Sequence, residues 1–482
     1  MTRKTTRRQF IQHSAVALGT AWWVSGQTVW SAPKSPNEKV RFACIGVGGK
    51  GRSDSADAAR YGVVVAICDV DKKTLAKAAA RPEFAKAKQY QDYRKLFDEM
   101  ADKFDAVTVS TPDHHHAAAT AMAIKLGKHC YTQKPLTHSI YEAKVLGDLA
   151  AKYKVQTQMG NQGTAVDSLR IGAKLIQKGI IGTVKEVHVW TNRPIWPQGI
   201  PRPKPAPVPP NLDWDVWLGP APKRPYAPGY HPFKWRGWWD FGTGALGDMA
   251  CHTVNLPYMA LDLKDPVSVQ AWHSGHNRDS YPNSSKIKYE FPATDKRPAV
   301  VMWWYDGGNF PPADLLPKGW KMPKTGSLFI GEKGIMLAPG DYGGGRGDYL
   351  KGKAIVIIPK EAIEKGVPMP KNKDVVKVKT SEIVVEPDGK LSEAPKVEFD
   401  KSPGHFKELV VAIQGGPAPK SNFPGYASGL TQTILLGNLA IWTTPEPGPT
   451  KKIEWDAKNL VAKNAPEVQH IVKPVYREGW TL

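Results

Sequence analysis

Cysteine is scarce in this chain. Its four cysteines, Cys44, Cys68, Cys130 and Cys251, are spread over 482 residues, too few and too far apart for a disulfide framework or a Cys-x-x-Cys metal knuckle. They read as small core residues, the first two in or at the end of predicted strands. Acidic side chains are in deficit as well: 45 Asp and Glu stand against 66 Lys and Arg, a formal net charge of +21. Such a field attracts anions, but no Lys/Arg-rich run with interleaved aromatics marks a nucleic-acid face, so nucleic acid is not an expected partner. Long apolar runs are missing too. The stretch 14–30 is uncharged but broken by Gly19, Thr20, Ser25, Gly26, Gln27 and Thr28, which makes it too polar and too short for a membrane span. No repeat of fixed period is visible, which excludes a solenoid.

What is abundant is proline and tryptophan, 42 and 17 residues, so long aromatic-lined loops are expected on a chain long enough for two domains. The N-terminus carries Thr6-Arg7-Arg8-Gln9-Phe10-Ile11 ahead of the uncharged stretch, with Val29-Trp30-Ser31 as a permissive cleavage region. This reads as a twin-arginine signal peptide over residues 1–31. It predicts export to the periplasm or another extracytoplasmic space, with no membrane span once the signal is removed. Removal takes Arg3, Lys4, Arg7 and Arg8 away and leaves +17, that is 21 less 4. Twin-arginine export moves folded proteins, commonly those that take up a cofactor in the cytoplasm.

The apolar run Val40–Ile45 leads into Gly46-Val47-Gly48-Gly49-Lys50-Gly51 and then a helical segment from about Ser53 to Tyr61, the strand–turn–helix context that G-x-G-x-x-G requires. Gly46 permits the tight turn, Gly48 lets backbone approach a pyrophosphate, and Gly51 allows close helix packing, with the helix N-terminus facing the phosphates. A second predicted strand, Val63–Cys68, ends at Asp69, placed to accept hydrogen bonds from adenosine ribose hydroxyls. That carboxylate repels a 2′-phosphate and favours NAD over NADP, a preference that Lys72 and Lys73 weaken a little. Helices over 72–80, 93–101, 116–126 and 140–153 alternate with strands over 106–110, 128–132 and 155–159, which predicts a doubly wound parallel sheet.

Three later motifs, Ser110-Thr111-Pro112-Asp113-His114-His115-His116, Gln133-Lys134-Pro135 and Gly244-Ala245-Leu246-Gly247-Asp248-Met249-Ala250-Cys251-His252, occur in the order and spacing of the Gfo/Idh/MocA oxidoreductase family, which the chain resembles from about 38 to 445. The resemblance implies an α/β protein: a Rossmann domain over 38–157, then a second α/β domain over 158–445 whose open, mostly antiparallel sheet often forms an oligomer interface. A dimer or tetramer is expected, with 446–482 as a C-terminal tail. Predicted strands over 184–191, 267–272, 286–291, 299–305, 327–330 and 354–358, and helices over 247–261 and 406–414, agree in outline.

By the same resemblance His252 is the proton acceptor, Asp248 binds and orients the substrate, and Lys134 sets a cation beside the reacting oxygen. Thr111 and Pro112 line the nicotinamide side, with His116 a helix-start residue near the cofactor. Asp248 and His252, at i and i+4, share one helical face and can converge on one hydroxyl. Neither they nor His114-His115-His116 are read as a metal site, because no third convergent ligand accompanies the first pair and adjacent histidines point apart. Two departures stand out: Gln133 replaces the family's Glu, and Asn255 stands where many members have Asp.

The segment 193–244 reads as an insertion. It holds the extended run Pro201–Pro210 and the aromatic stretches Trp214–Trp217 and Phe233–Trp239. Its rings either stack on a sugar or fix the loop to the body. Trp235 and Arg236 within it, with Asn161, Asn192 and Arg193, are the expected substrate-side residues. The expected activity is oxidation of a hydroxyl on a sugar, sugar acid or glycoside. Because the space outside the membrane holds no free nicotinamide pool, the cofactor is expected to be tightly bound and recycled within the cycle. Two alternatives stand beside this: an NAD-dependent glycoside-cleaving enzyme working by oxidation, elimination and reduction, and a non-catalytic sugar-binding protein.

Overall fold

The computed structural model describes residue 35 and residues 38–344 and 349–482. The stretch expected to carry the twin-arginine signal lies outside the described residues. The chain begins its first sheet with β1 (Val40–Ile45), β2 (Gly62–Cys68), β3 (Lys88–Tyr90), β4 (Ala106–Val109), β5 (His129–Thr132) and β6 (Thr157–Met159). Every pair is parallel and the order is β3-β2-β1-β4-β5-β6, so the strand order reverses between β1 and β4, where a ligand crevice opens. β4 and β5 are buried along their whole length because helices cover both faces of the sheet. β3 has no such run: it is a three-residue edge strand with exposed lysine and glutamine, and its hydrophobicity gives no signal.

The second sheet has twelve strands: β7 (Val184–Trp190), β8 (Ser268–His273), β9 (Ser285–Phe291), β10 (Val300–Tyr305), β11 (Gly326–Gly331), β12 (Gly334–Pro339), β13 (Ile355–Pro359), β14 (Glu382–Val385), β15 (Leu391–Glu393), β16 (Gly448–Pro449), β17 (Ile453–Asp456) and β18 (Val461–Ala462). It is mixed and mostly antiparallel, with β7–β10 and β13–β14 as its parallel ladders. β9 shows why it forms a face. Ile287, Tyr289 and Phe291 point inward, Tyr289 donating to the Ile434 carbonyl (2.9 Å) of helix Ser428–Trp442, while Lys286, Lys288 and Glu290 alternate outward.

Three boundaries differ from expectation. The helix expected over 247–261 is two helices, Gly244–Thr253 and Asn255–Leu261, because Pro257 has no N–H to give the Thr253 carbonyl and its ring crowds that group. Helix His405–Ile413, expected in the second domain, packs on the first: Phe406 meets Phe42 and Tyr131 at ring distances of 5.7 and 4.9 Å. The segment 446–482 is no tail apart from the body. Its β17 extends the large sheet beside β8, and Trp480 packs on Tyr93 and His115 of the Rossmann domain.

Candidate functional site

A cavity of about 520 Å³ lies at the strand-order reversal, between the glycine turn and helix Gly244–Thr253. The turn is built to leave no room for side chains. A Cβ on Gly46, whose φ is +76°, would come within 2.6 Å of the Ser110 carbonyl oxygen, and one on Gly51 within 1.9 Å of the Gly46 carbonyl oxygen. Gly48 faces the Thr74 methyl, which a Cβ would approach to 2.8 Å. Asp69 closes the turn by accepting from the Val47 and Asp71 amides, both at 3.0 Å. Burial pushes its carboxyl up, and those two amides counter the rise. A glycine cradle before a helix N-terminus, with a carboxylate at the end of β2, fits a dinucleotide.

Across the cavity the charged groups alternate in sign. Lys134 Nζ donates to Asp248 Oδ1 (2.6 Å) and to the Asp248 carbonyl (3.0 Å). Arg236 bridges Asp248 Oδ1 and Asp113 Oδ1, each at 3.2 Å. Asp113 Oδ2 in turn accepts from the Thr243 amide (3.1 Å) and hydroxyl (2.6 Å), which fixes the start of helix Gly244–Thr253. Burial works to raise the Asp248 carboxyl, but Arg236 and Lys134 overturn it and hold the group below the usual carboxylate range. His252, one turn along, has its Nδ1 buried without a hydrogen-bond partner, and its ring meets Tyr342 edge-on at 4.7 Å. Burial and the Lys134 charge push its pKa well down, so it stands neutral.

Of the expected cofactor residues, Gly46, Gly48, Asp69, Thr111, Pro112, His116 and Lys134 line this cavity, while Gly51 sits behind it in the helix packing. His116 is held between the Pro135 and Thr111 carbonyls at 2.8 and 2.9 Å. His114 and His115 do not point apart as expected: both reach the Trp217 carbonyl at 2.9 Å, with ring centroids 4.8 Å apart. On the substrate side Arg193, Trp235 and Arg236 line the cavity and Asn161 and Asn192 do not. Asn161 is fully buried, with both amide atoms unpartnered, and Asn192 is exposed, accepting from Arg193. Arg236 is also not a free sugar contact, since its guanidinium is spent on Asp113 and Asp248 and lies 4.2 Å from the Trp235 ring centre.

Asp113, Asp341 and Tyr342 in the cavity wall, and Asp54 as its support, were not among the expected site residues, whereas Phe233 of the expected aromatic stretch does reach the wall. Asp113 had a signal, its place at the start of the helix bearing the histidines. Asp54 explains the Gln133 departure. It is buried, and its Oδ2 accepts from Gln133 Nε2 and Ser110 Oγ, both at 2.8 Å, while Oδ1 pairs with Lys50 at 2.5 Å. A glutamate at 133 would set two carboxylates together; the amide supplies a donor instead.

With this geometry in place the comparisons decide the family. Residues 40–161 match the Gfo/Idh/MocA oxidoreductase family's NAD-binding Rossmann fold and residues 162–297 its C-terminal alpha/beta domain, together more than half of the chain. The chain belongs to the Gfo/Idh/MocA oxidoreductase family. Among its relatives, levoglucosan dehydrogenase of Pseudarthrobacter phenanthrenivorans is 24% identical over 191 residues, 39% of this chain and 40% of that one. Glycosyl hydrolase family 109 protein 2 of Akkermansia muciniphila is 30% identical over 169 residues, 33% of this chain and 35% of that one. This Gfo/Idh/MocA chain spans about half, or less, of the length of the curated relatives it matches. A solved aldose–aldose oxidoreductase from Caulobacter crescentus, complexed with glycerol, shares the fold at TM-score 0.54 and 15% identity over 86% of this chain and all of that one.

Proposed function

We propose that this protein is an exported oxidoreductase that binds NAD in preference to NADP and oxidises a hydroxyl of a sugar, sugar acid or glycoside, with the cofactor held tightly and regenerated within the cycle. The observation that carries this reading is the run Asp113–Arg236–Asp248–Lys134 closing on the cavity that also holds the glycine turn and a neutral, unpaired His252. When bound, the dinucleotide supplies the hydride acceptor. His252 takes the hydroxyl proton, a role its depressed pKa suits because its neutral form is the resting one. Lys134, fixed by Asp248, sets its positive charge against the oxygen as it loses that proton. Trp217, Pro232 and Trp235 of the insertion wall the same cavity as His252.

Arg193 bears on the substrate. Lys50, Lys134 and Arg236 each have a carboxylate partner, whereas Arg193 has none among the described residues, which favours a sugar bearing an acidic group. The relatives named as sugar dehydrogenase and aldose–aldose oxidoreductase support a carbohydrate, and the second supports internal recycling. Export rests on Arg7 and Arg8. A homo-oligomer, a dimer or tetramer, is supported by the outer face of the large sheet, where half-buried Trp272 and Trp303 flank Lys286 at 5.3 and 5.6 Å.

Denaturing the purified protein and identifying the released nucleotide by mass tests the reading: NAD is expected, and an empty pocket refutes tight binding. The relative named as a glycosyl hydrolase favours the second reading, redox-assisted glycoside cleavage. Incubation with aryl glycosides separates the two, since release of the aglycone without net NADH belongs to cleavage alone. The third, a non-catalytic sugar-binding protein, falls if His252→Ala abolishes a measurable turnover.

A further inference from the structure

A second cavity, about 330 Å³, shares no wall residue with the cofactor cavity. It lies between the start of helix Ile140–Tyr153, helix Ser428–Trp442 and the C-terminal segment 470–476. Its size falls within the range of small-molecule sites. One wall is aromatic: Trp239 stacks on Tyr281 with ring centres 3.8 Å apart and meets Trp442 edge-on at 4.9 Å.

The polar groups of this wall are almost all spent within the protein. Both His114 ring nitrogens face carbonyls, Glu142 takes the Ser139 amide and the Tyr476 hydroxyl, and Asp240 takes Arg202 and Arg224. Two atoms are left buried without a partner, the Trp239 indole N–H and the Asn438 Oδ1, on residues 8% and 4% exposed. One is a donor and the other an acceptor, and burying either without a partner is unfavourable. A saccharide would bring more hydroxyls than such a wall can satisfy. A flat apolar ring suits the aromatic wall, and a hydroxyl on it can accept from the indole N–H or donate to the amide oxygen.

The same wall grips the catalytic helix. His138 Nε2 and the Tyr281 hydroxyl both donate to the Gly242 carbonyl at 3.0 Å, and Asn438 Nδ2 donates to the Thr243 carbonyl at 3.1 Å. Thr243 is the residue that holds Asp113 and precedes Gly244. We propose that this cavity is a second ligand site, taking an aromatic alcohol of one or two rings, and that its occupant stiffens the Gly242–Thr243 turn on which the catalytic helix starts.

The test titrates the protein as purified, with whatever nucleotide it carries, against 2-naphthol by calorimetry, with methyl glucoside as the saccharide arm. Saturable binding of 2-naphthol is expected, together with slower amide exchange over 242–253 in hydrogen–deuterium mass spectrometry. Leu439→Phe fills the cavity and Val475→Trp crowds its mouth from an exposed position, so the second keeps the test alive if the first fails to fold. Either should weaken binding by about tenfold or more while leaving nucleotide content unchanged. Failure of 2-naphthol to bind, binding unchanged in both variants, or displacement of the bound nucleotide overturns the site. Tighter binding of methyl glucoside overturns the ligand class, and unchanged exchange over 242–253 overturns the coupling.

Discussion

Replacing Gln133 by glutamate restores the residue the family places there, yet in this chain it should be destabilising, and in a pH-dependent way. Gln133 Nε2 lies 2.8 Å from Asp54 Oδ2, so a charged glutamate side chain in its place would set a second carboxylate at about that separation. At an effective dielectric of about 20 the repulsion is about 6 kcal/mol, equivalent to roughly 4 pKa units. Lys50 on the other Asp54 oxygen trims that figure. The new glutamate escapes by keeping its proton, which also lets it donate to Asp54 as the amide did. Its folded pKa is then raised above its unfolded value of about 4.3, so the folded state binds the extra proton and stability falls as pH rises. The loss is under about 1 kcal/mol at about pH 5 and grows by about 1.4 kcal/mol per pH unit, to about 4 kcal/mol at about pH 7. Urea unfolding of Gln133→Glu beside the parent at those two pH values measures it. Equal destabilisation at both would refute the reasoning. In the double variant Asp54→Asn with Gln133→Glu, donor and acceptor are exchanged, and the extra pH slope should vanish.

Lys134→Met should lower kcat by about 10²–10³-fold while the co-purified nucleotide is retained, because the cation acts on the reacting oxygen; mass analysis and steady-state rates together check this. Gly51→Ala puts a methyl 1.9 Å from the Gly46 carbonyl oxygen, so the protein should be purified without nucleotide or not fold, read by nucleotide content and circular dichroism. Because burial and Lys134 lower the His252 pKa, its neutral form persists well below the ordinary value of about 6.5, and kcat/KM should show no His252 limb between about pH 6 and 8; a fall centred near 6.5 would contradict the neutral, buried base.

The Rossmann half was legible because its signals are local. The glycine turn, the buried runs of β1, β2, β4 and β5 and the carboxylate ending β2 each follow from a few adjacent residues. Helix Ile140–Tyr153 announces itself the same way, through the Ser139–Glu142 capping box. What stayed hidden was non-local. Nothing around Phe406 says that its helix returns across the chain to Phe42 and Tyr131. β17 is assigned to a sheet only by its pairing with β8. Asp54 and Gln133 are 79 positions apart, so the departure at Gln133 is visible in its motif while its partner Asp54 is not. The aromatic insertion had two readings, and packing favours the plainer one: Trp214, Trp217, Trp235, Trp238 and Phe241 form one buried cluster, of which Trp217 and Trp235, with exposed Phe233, reach the cavity.

That cluster also explains how an insertion can carry a charge into the cavity wall. Arg236 must hold its guanidinium between two carboxylates from different parts of the fold, Asp113 on the Rossmann helix and Asp248 on the second domain. A long loop would ordinarily lose too much entropy in ordering such a side chain. Here the loop is anchored at both ends of the requirement: Asn211 bonds Asp71 (2.8 Å) and Asp213 bonds Val70 (3.0 Å) at the end of β2, while Arg236 itself lies against Trp235. Removing the anchor should therefore resemble removing the charge. Asn211→Ala, far from the reacting atoms, is expected to lower kcat severalfold with little change in overall stability, whereas Trp214→Ala, which opens the cluster, should cost about 3–5 kcal/mol. If Asn211→Ala turned over at the parent rate, the loop would not be what holds Arg236 in register with Lys134.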